Sequence, residues 1–464
     1  MKEAPTFTGG ITRRTLVASA GALAAPWVHA EPKPLRFAWW GGAGRHQATL
    51  AALKVFEQRH GVKVKAEYMG FSGYLERLTT QIAGRSEPDL MQINWAWLAM
   101  FSKRGNGFTD LNGLAKELAL DQFSEDDLAY GRVQGKLNAL PSSFSARVFL
   151  WNQTAFARAG VALPTTWDEL FATGPAFRAR LGDGAYPLDG ELYDMILLTQ
   201  SYIQQKHGTP FVDPTRPRVA MSPAAALEWV QTYKRVIAQH VATPLPLRAS
   251  LGGAEKPTEQ QPDWVSGRWA GNYTWDSVIA LRASTLEPGE KLALGEFPTL
   301  PGARESGLFG RPTVMYALGR NSKQPELAAR LMNFLLTDPE AARILGRTRG
   351  LPSARGALAV LQKAGGLLSL SPQASSPSAD AAPQGGARQL GNGPALALEL
   401  AAHDQIQAQR DAGRLIRPAP LFEHARFQKF MREVFETVAY AKTSDTEAAN
   451  RLVAEGNALL QRIQ

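Results

Sequence analysis

The chain has 464 residues, of which 44% are apolar, 20% charged and 9% aromatic, and no cysteine occurs in it. That excludes a disulfide scaffold, a thiol enzyme, an iron–sulfur protein and a cysteine-ligated zinc site, while the length allows two or three domains. Lysine and arginine outnumber aspartate and glutamate by 51 to 42, a formal charge of +9, so an anionic partner is worth seeking.

Arg13 and Arg14 precede a weakly apolar stretch, Leu16 to Ala25, of the length of a signal-peptide core. Val28-His29-Ala30 then supplies small residues at the cleavage positions. Residues 1–30 are therefore expected to be a twin-arginine signal peptide. No later stretch approaches the ~18 apolar residues of a membrane helix, so membrane insertion is not expected. With no cysteine available to carry a lipid, the expected location is a Gram-negative periplasm.

From Leu35 the chain reads as a strand to Trp40, a glycine-rich turn, and a helix carrying Leu50, Leu53 and Phe56 that stops at Gly61. Val62 to Tyr68 alternates as a strand, Tyr74 to Ala83 is helical, and Leu90 to Ile93 is a further strand. Such alternation predicts a parallel, doubly wound sheet, with ligands beyond the carboxyl ends of its strands. A second α/β unit is expected from about Arg147, after the extended Gly135 to Pro141, with helices over Thr166–Arg180, Glu191–Gln205 and Pro223–Gln239. Thr243 to Pro262 reads as loop. Leu292 to Leu300 is extended and leads back to a strand at Thr313–Leu318, so two segments are expected to cross between lobes. The remainder is mostly helical, interrupted by a low-complexity surface excursion at residues 367–394.

Three aromatic groups lie beside predicted loops: Trp39-Trp40, Trp95 with Trp97, and Trp264, Trp269, Tyr273 and Trp275. Indole faces stack on sugar rings and their N–H groups bond hydroxyls, which suits a carbohydrate ligand. Trp39 and Trp40 point to opposite faces of one strand, so at most one of them is expected to be core. The turn Gly41-Gly42-Ala43-Gly44 with Arg45 and His46 lacks both nucleotide-loop spacings, and its free N–H groups suit hydroxyls or carboxylates. Arg45, Arg147, Arg311 and Arg349 stand near strand ends or in loops, where a guanidinium grips a carboxylate through two hydrogen bonds. No lysine or arginine tract accompanies the tryptophans, so no nucleic acid is expected. Gly70-Phe71-Ser72-Gly73 has the wrong spacing for a nucleophile elbow, and the seven histidines form no His-x-x-x-His pair. Glu125-Asp126-Asp127 reads as a solvated helix start. Asp263 and Asp276 suit binding of sugar hydroxyls more than acid catalysis.

Arg36-Phe37-Ala38-Trp39-Trp40-Gly41-Gly42, Arg45-His46-Gln47-Ala48-Thr49-Leu50, Glu87-Pro88-Asp89, Asn94-Trp95, Pro164-Thr165-Thr166-Trp167-Asp168-Glu169-Leu170 and Gly350-Leu351-Pro352 together resemble the family 1 extracellular solute-binding proteins of ABC sugar importers. Within them the chain is most similar to the pectic oligogalacturonide-binding subgroup. The resemblance implies a type II, two-lobed periplasmic binding protein fold of doubly wound α/β sheets with a hinge of crossing segments. It divides the chain into residues 31–141 with about 302–337, and 142–301 with about 338–464. It implies a uronate-containing oligosaccharide as ligand and the subunits of a membrane permease as partners, with a monomeric receptor, no cofactor, no metal and no catalysis. Carried over by position, Trp39, Trp40, Gly41, Gly42, Arg45 and His46 would form one wall, with Asn94, Trp95 and Trp97 beside them. Arg147, Trp275, Arg311 and Arg349 would complete the site. A neutral oligosaccharide receptor, and a secreted uronide lyase or glycoside hydrolase, are the alternatives.

Overall fold

The computed structural model describes Met1 and residues 33–253, 256–363 and 392–463. The expected signal peptide lies outside these residues. So does the low-complexity excursion, apart from 392–394, which open the helix Asn392–Asp411.

Nine strands occur among the described residues: β1 (Leu35–Trp40), β2 (Val64–Met69), β3 (Leu90–Ile93), β4 (Arg132–Val133), β5 (Lys136–Leu137), β6 (Leu140–Asn152), β7 (Gly271–Trp275), β8 (Leu292–Gly295) and β9 (Gly310–Leu318). β1 is apolar on both faces because it is an inner strand, flanked in parallel by β2 and β3. The helix Ala43–His60 covers one face through Ala52, Leu53 and Phe56. It ends at Gly61, whose φ of 63° and N–H bond to Glu57 O close the last turn.

Beyond β3 the expected parallel pairing stops. β9 runs antiparallel to β3, and β6 antiparallel to β9, β7 and β8. Parallel pairing requires a crossover helix between strands, whereas β9 arrives by a long return from the other half of the chain and is free to enter reversed. β6 joins the two halves. Its first part, Leu140–Ala146, pairs with β9, and its second part, Arg147–Asn152, with β7 and β8. One strand thus pairs with both sets of strands.

The predicted helices form at Trp167–Leu181, Leu192–His207 and Pro223–Ala238. Thr243–Pro262, expected as loop, contains the short helix Leu245–Ser250, where Pro246 sits in the first turn and removes no intrahelical hydrogen bond. Pro339–Leu345 and Arg355–Lys363 pack in the apolar cluster of β1 and Ala43–His60, through Ala341, Leu345 and Ala357. Asn392–Asp411 packs on Ile279–Ser284 and β8. Glu125–Gly131 starts with the capping box of Ser124 and Asp127; Glu125 is solvated as expected, but Asp126 and Asp127 are not. Arg410 reaches Asp126 at 3.0 Å and Asp127 at 2.7 Å. No helix among the described residues is long and apolar enough to cross a membrane.

Candidate functional site

A cavity of about 470 Å³ opens between the carboxyl end of β1, the middle of β6 and β9, the turn after β7, and the loop Arg347–Leu351. That volume falls within the ~300–1,000 Å³ of small-molecule sites.

One pole is cationic. Gly42, which caps the helix Ala43–His60 without a side-chain hydrogen bond, lines the cavity, so the positive end of the helix dipole lies at its rim. Arg45 donates from Nε to Thr348 O at 2.8 Å and from Nη1 to Trp40 O at 3.1 Å. Arg349, 6% exposed, donates to Gln92 Oε1 and Thr49 Oγ1, both at 2.9 Å, while its buried Nη1 has no partner. Among the described residues neither guanidinium has a carboxylate within ion-pair distance. Burial, reinforced by the charge of Arg349, pushes Arg45 down to about 9, and burial lowers Arg349 as well. Arg45 therefore stays cationic at neutral pH. A cation buried without a counter-ion, as Arg349 is, is costly, and an incoming anion relieves that cost. Gly41 is needed here because a Cβ on it would fall 2.5 Å from Arg45 Cδ.

The opposite wall carries Trp275, Asp276, Ser277 and Val278, and the floor carries Ser143, Phe144, Ser145, Thr313 and Val314. Asp276 accepts a hydrogen bond from Ser145 Oγ, and burial pushes its carboxyl up to about 6. Trp40 lines the cavity, backed by Trp97 at 5.3 Å between ring centroids. Phe71, 53% exposed, meets Trp40 edge-on at 5.6 Å.

Of the residues expected from sequence, Trp40, Gly41, Gly42, Arg45, Asn94, Trp275 and Arg349 come together at this cavity. The others do not line it. Trp39, on the opposite face of β1, is wholly buried, donates to His46 Nδ1 at 3.1 Å and stacks on Tyr68. His46 belongs to that group, and burial with the nearby Arg45 and Arg349 lowers its pKa. Trp95 donates to Tyr130 O at 3.1 Å, and Trp97 packs behind Trp40 and against Tyr74. Arg147 and Arg311, expected to grip the ligand, are neutralised by the chain itself: Arg147 by Asp194, and Arg311 by Glu423 at 2.9 Å. Both stand over the Trp275 ring, at 5.0 and 4.8 Å from its centroid. Trp264, Trp269 and Tyr273 are core.

Phe71, Ser143, Ser145, Thr313 and Arg347 also line the cavity, without being expected from sequence. A large apolar residue between Gly70 and Gly73, and serines spaced through an otherwise apolar strand, were the available signals.

The bacterial extracellular solute-binding protein family matches residues 42–342. A periplasmic oligogalacturonide binding protein from Yersinia enterocolitica is 35% identical in sequence, with a TM-score of 0.78 over 93% of this chain and 99% of that one. Its complex with saturated digalacturonic acid is similar at a TM-score of 0.76, with the same identity and coverage. A de novo designed cysteine esterase is 35% identical with a TM-score of 0.82, over 94% of this chain and 100% of that one, although this chain has no cysteine. The diacetylchitobiose binding protein DasA of Streptomyces coelicolor is 26% identical over 305 residues, 63% of this chain and 66% of that protein.

Proposed function

The chain belongs to the bacterial extracellular solute-binding protein family; from that premise we propose that it is the solute-binding component of an ABC sugar importer and that its ligand is an acidic oligosaccharide, an oligogalacturonide or other uronide. One observation carries this reading: Arg45, half-buried, and Arg349, buried, line the cavity without a carboxylate partner among the described residues. A uronate bound there supplies the missing counter-charge through charge-assisted hydrogen bonds. Trp40, Phe71 and Trp275 offer surfaces for the rings, while Asp276, Ser143, Ser145 and Thr313 bond hydroxyls. Likeness to the Yersinia protein and its digalacturonic acid complex supports the same class.

The receptor acts in the periplasm after twin-arginine export, as a monomer that captures without turnover and presents its load to a permease. For the lobes we propose residues 31–141 with about 302–337, and 142–301 with about 338–464, but with Pro339–Leu345 and Arg355–Lys363 moved to the first because they pack beside β1. A neutral oligosaccharide is the second reading, favoured by the hydroxyl-lined floor.

Arg349→Met keeps most of the side-chain volume and removes the charge. Loss of one charge-assisted contact is worth about 1.5–3 kcal/mol, so digalacturonate should bind about 10- to 100-fold more weakly. A neutral galactose disaccharide should change by less than about threefold, since it makes no such pair. Calorimetric titration decides, and equal losses for both sugars remove the uronide reading.

A further inference from the structure

The third cation of the cavity, Arg347, differs from Arg45 and Arg349 because it already has an acid partner. Its guanidinium meets the carboxylate of Glu399, with side-chain exposures of 13% and 15%, and both residues line the cavity. The two come from different sides. Arg347 follows the helix Pro339–Leu345, which packs on Ala43–His60, whereas Glu399 projects from Asn392–Asp411, which packs on Ile279–Ser284 and β8. The pair therefore spans the cavity beside the two unpartnered guanidiniums.

We propose that Glu399 is a resident competitor for the ligand's carboxylate: it occupies Arg347, leaving Arg45 and Arg349 to receive one uronate, and thereby sets how much negative charge the site accepts. The proposal rests on the uronide reading for its natural ligand. Its chemistry follows from charge balance at close range. A carboxylate bound beside Arg45 and Arg349 is attracted by three guanidiniums and repelled by Glu399 and by Asp276 on the opposite wall, and a second carboxylate reaches Arg347 only by displacing Glu399. Removing the glutamate charge while keeping its shape should free Arg347 for the ligand. The effect should fall on acidic ligands alone.

The test compares wild type with Glu399→Gln by calorimetric titration of digalacturonate, a neutral galactose disaccharide and, as a probe of the bare cations, sulfate. Digalacturonate and sulfate are expected to bind about five- to tenfold more tightly to the variant, the size of one relieved charge contact, with the neutral sugar within about twofold. Glu399→Ala, which leaves no amide to hydrogen-bond, should shift both anions in the same direction, and melting curves of the free proteins verify that the variants are folded. Unchanged or weaker binding of both anions in the folded variants overturns the competition. A wild type that accepts the neutral disaccharide and refuses digalacturonate overturns the uronide reading instead, and the sulfate titration then still decides the role of Glu399.

Discussion

Asp276 and Arg45 are displaced from their ordinary ionisation by the same cause, burial, and in opposite senses. For Asp276 the carboxyl rises to about 6, so the folded chain holds a proton there that the unfolded chain has released. Between the ordinary carboxylate range and pH 6 the folded form therefore binds more protons, and this group's contribution makes the free protein less stable as pH rises through that window. The same titration bears on binding. Above pH 6 the Asp276 charge repels a uronate in the same cavity; below it the repulsion vanishes. Digalacturonate affinity is expected to rise about three- to fivefold on going from pH 7.5 to 5, the weight of about 1 kcal/mol across a solvated gap. Asp276→Asn should flatten that profile in a titration series. A profile that survives the substitution assigns the pH dependence to another group, His46 being the nearest candidate on the cationic side.

Elements carry the site by what they hold behind it. β6 places Ser143 and Ser145 on the cavity floor and, two residues on, Arg147 under Trp275. The helix Leu192–His207 supplies Asp194 from its first turn to neutralise that arginine, and Glu423, just ahead of Ala425–Ala439, neutralises Arg311. Two helices and two strands thus set the backing of one indole. Arg147→Ala leaves the largely covered Asp194 unpaired and should cost about 3 kcal/mol of stability in urea denaturation, whereas the double replacement Arg147→Met with Asp194→Leu should recover most of it. In the folded single variant the loss of affinity is expected to be similar for acidic and neutral sugars, because the arginine acts through Trp275. A loss confined to uronides would return Arg147 to the ligand.

At the scale of the whole molecule, the proposed receptor is expected to hold its ligand by closing two lobes joined through β6, the strand that pairs with both β9 and β7. Closure favours the liganded form, so saturating digalacturonate should reduce the radius of gyration in solution scattering. At a hundredfold excess over Kd it should also stabilise the fold by about 2.7 kcal/mol, seen as a raised Tm. An unchanged radius with full occupancy would remove the closure. Most secondary structure was legible beforehand: the helices from Tyr74, Trp167 and Pro223 and the strands from Leu35, Leu90 and Thr313 follow from periodicity and glycine stops, which are properties of a few consecutive residues. So was the turn Trp40-Gly41-Gly42 with Arg45, because glycines at a strand end mark a close approach of backbone, and because alternation lets only one of Trp39 and Trp40 face the cavity. The sense of β9 and the fate of the arginines were not. Arg147 finds its carboxylate 47 residues away and Arg311 finds one 112 residues away, while Arg45 and Arg349 find none among the described residues. The sequence by itself determined which side chains reach the strand ends. Only the tertiary structure decided which of their charges were already spent, because a counter-charge is set by distance in space, and no local pattern records it.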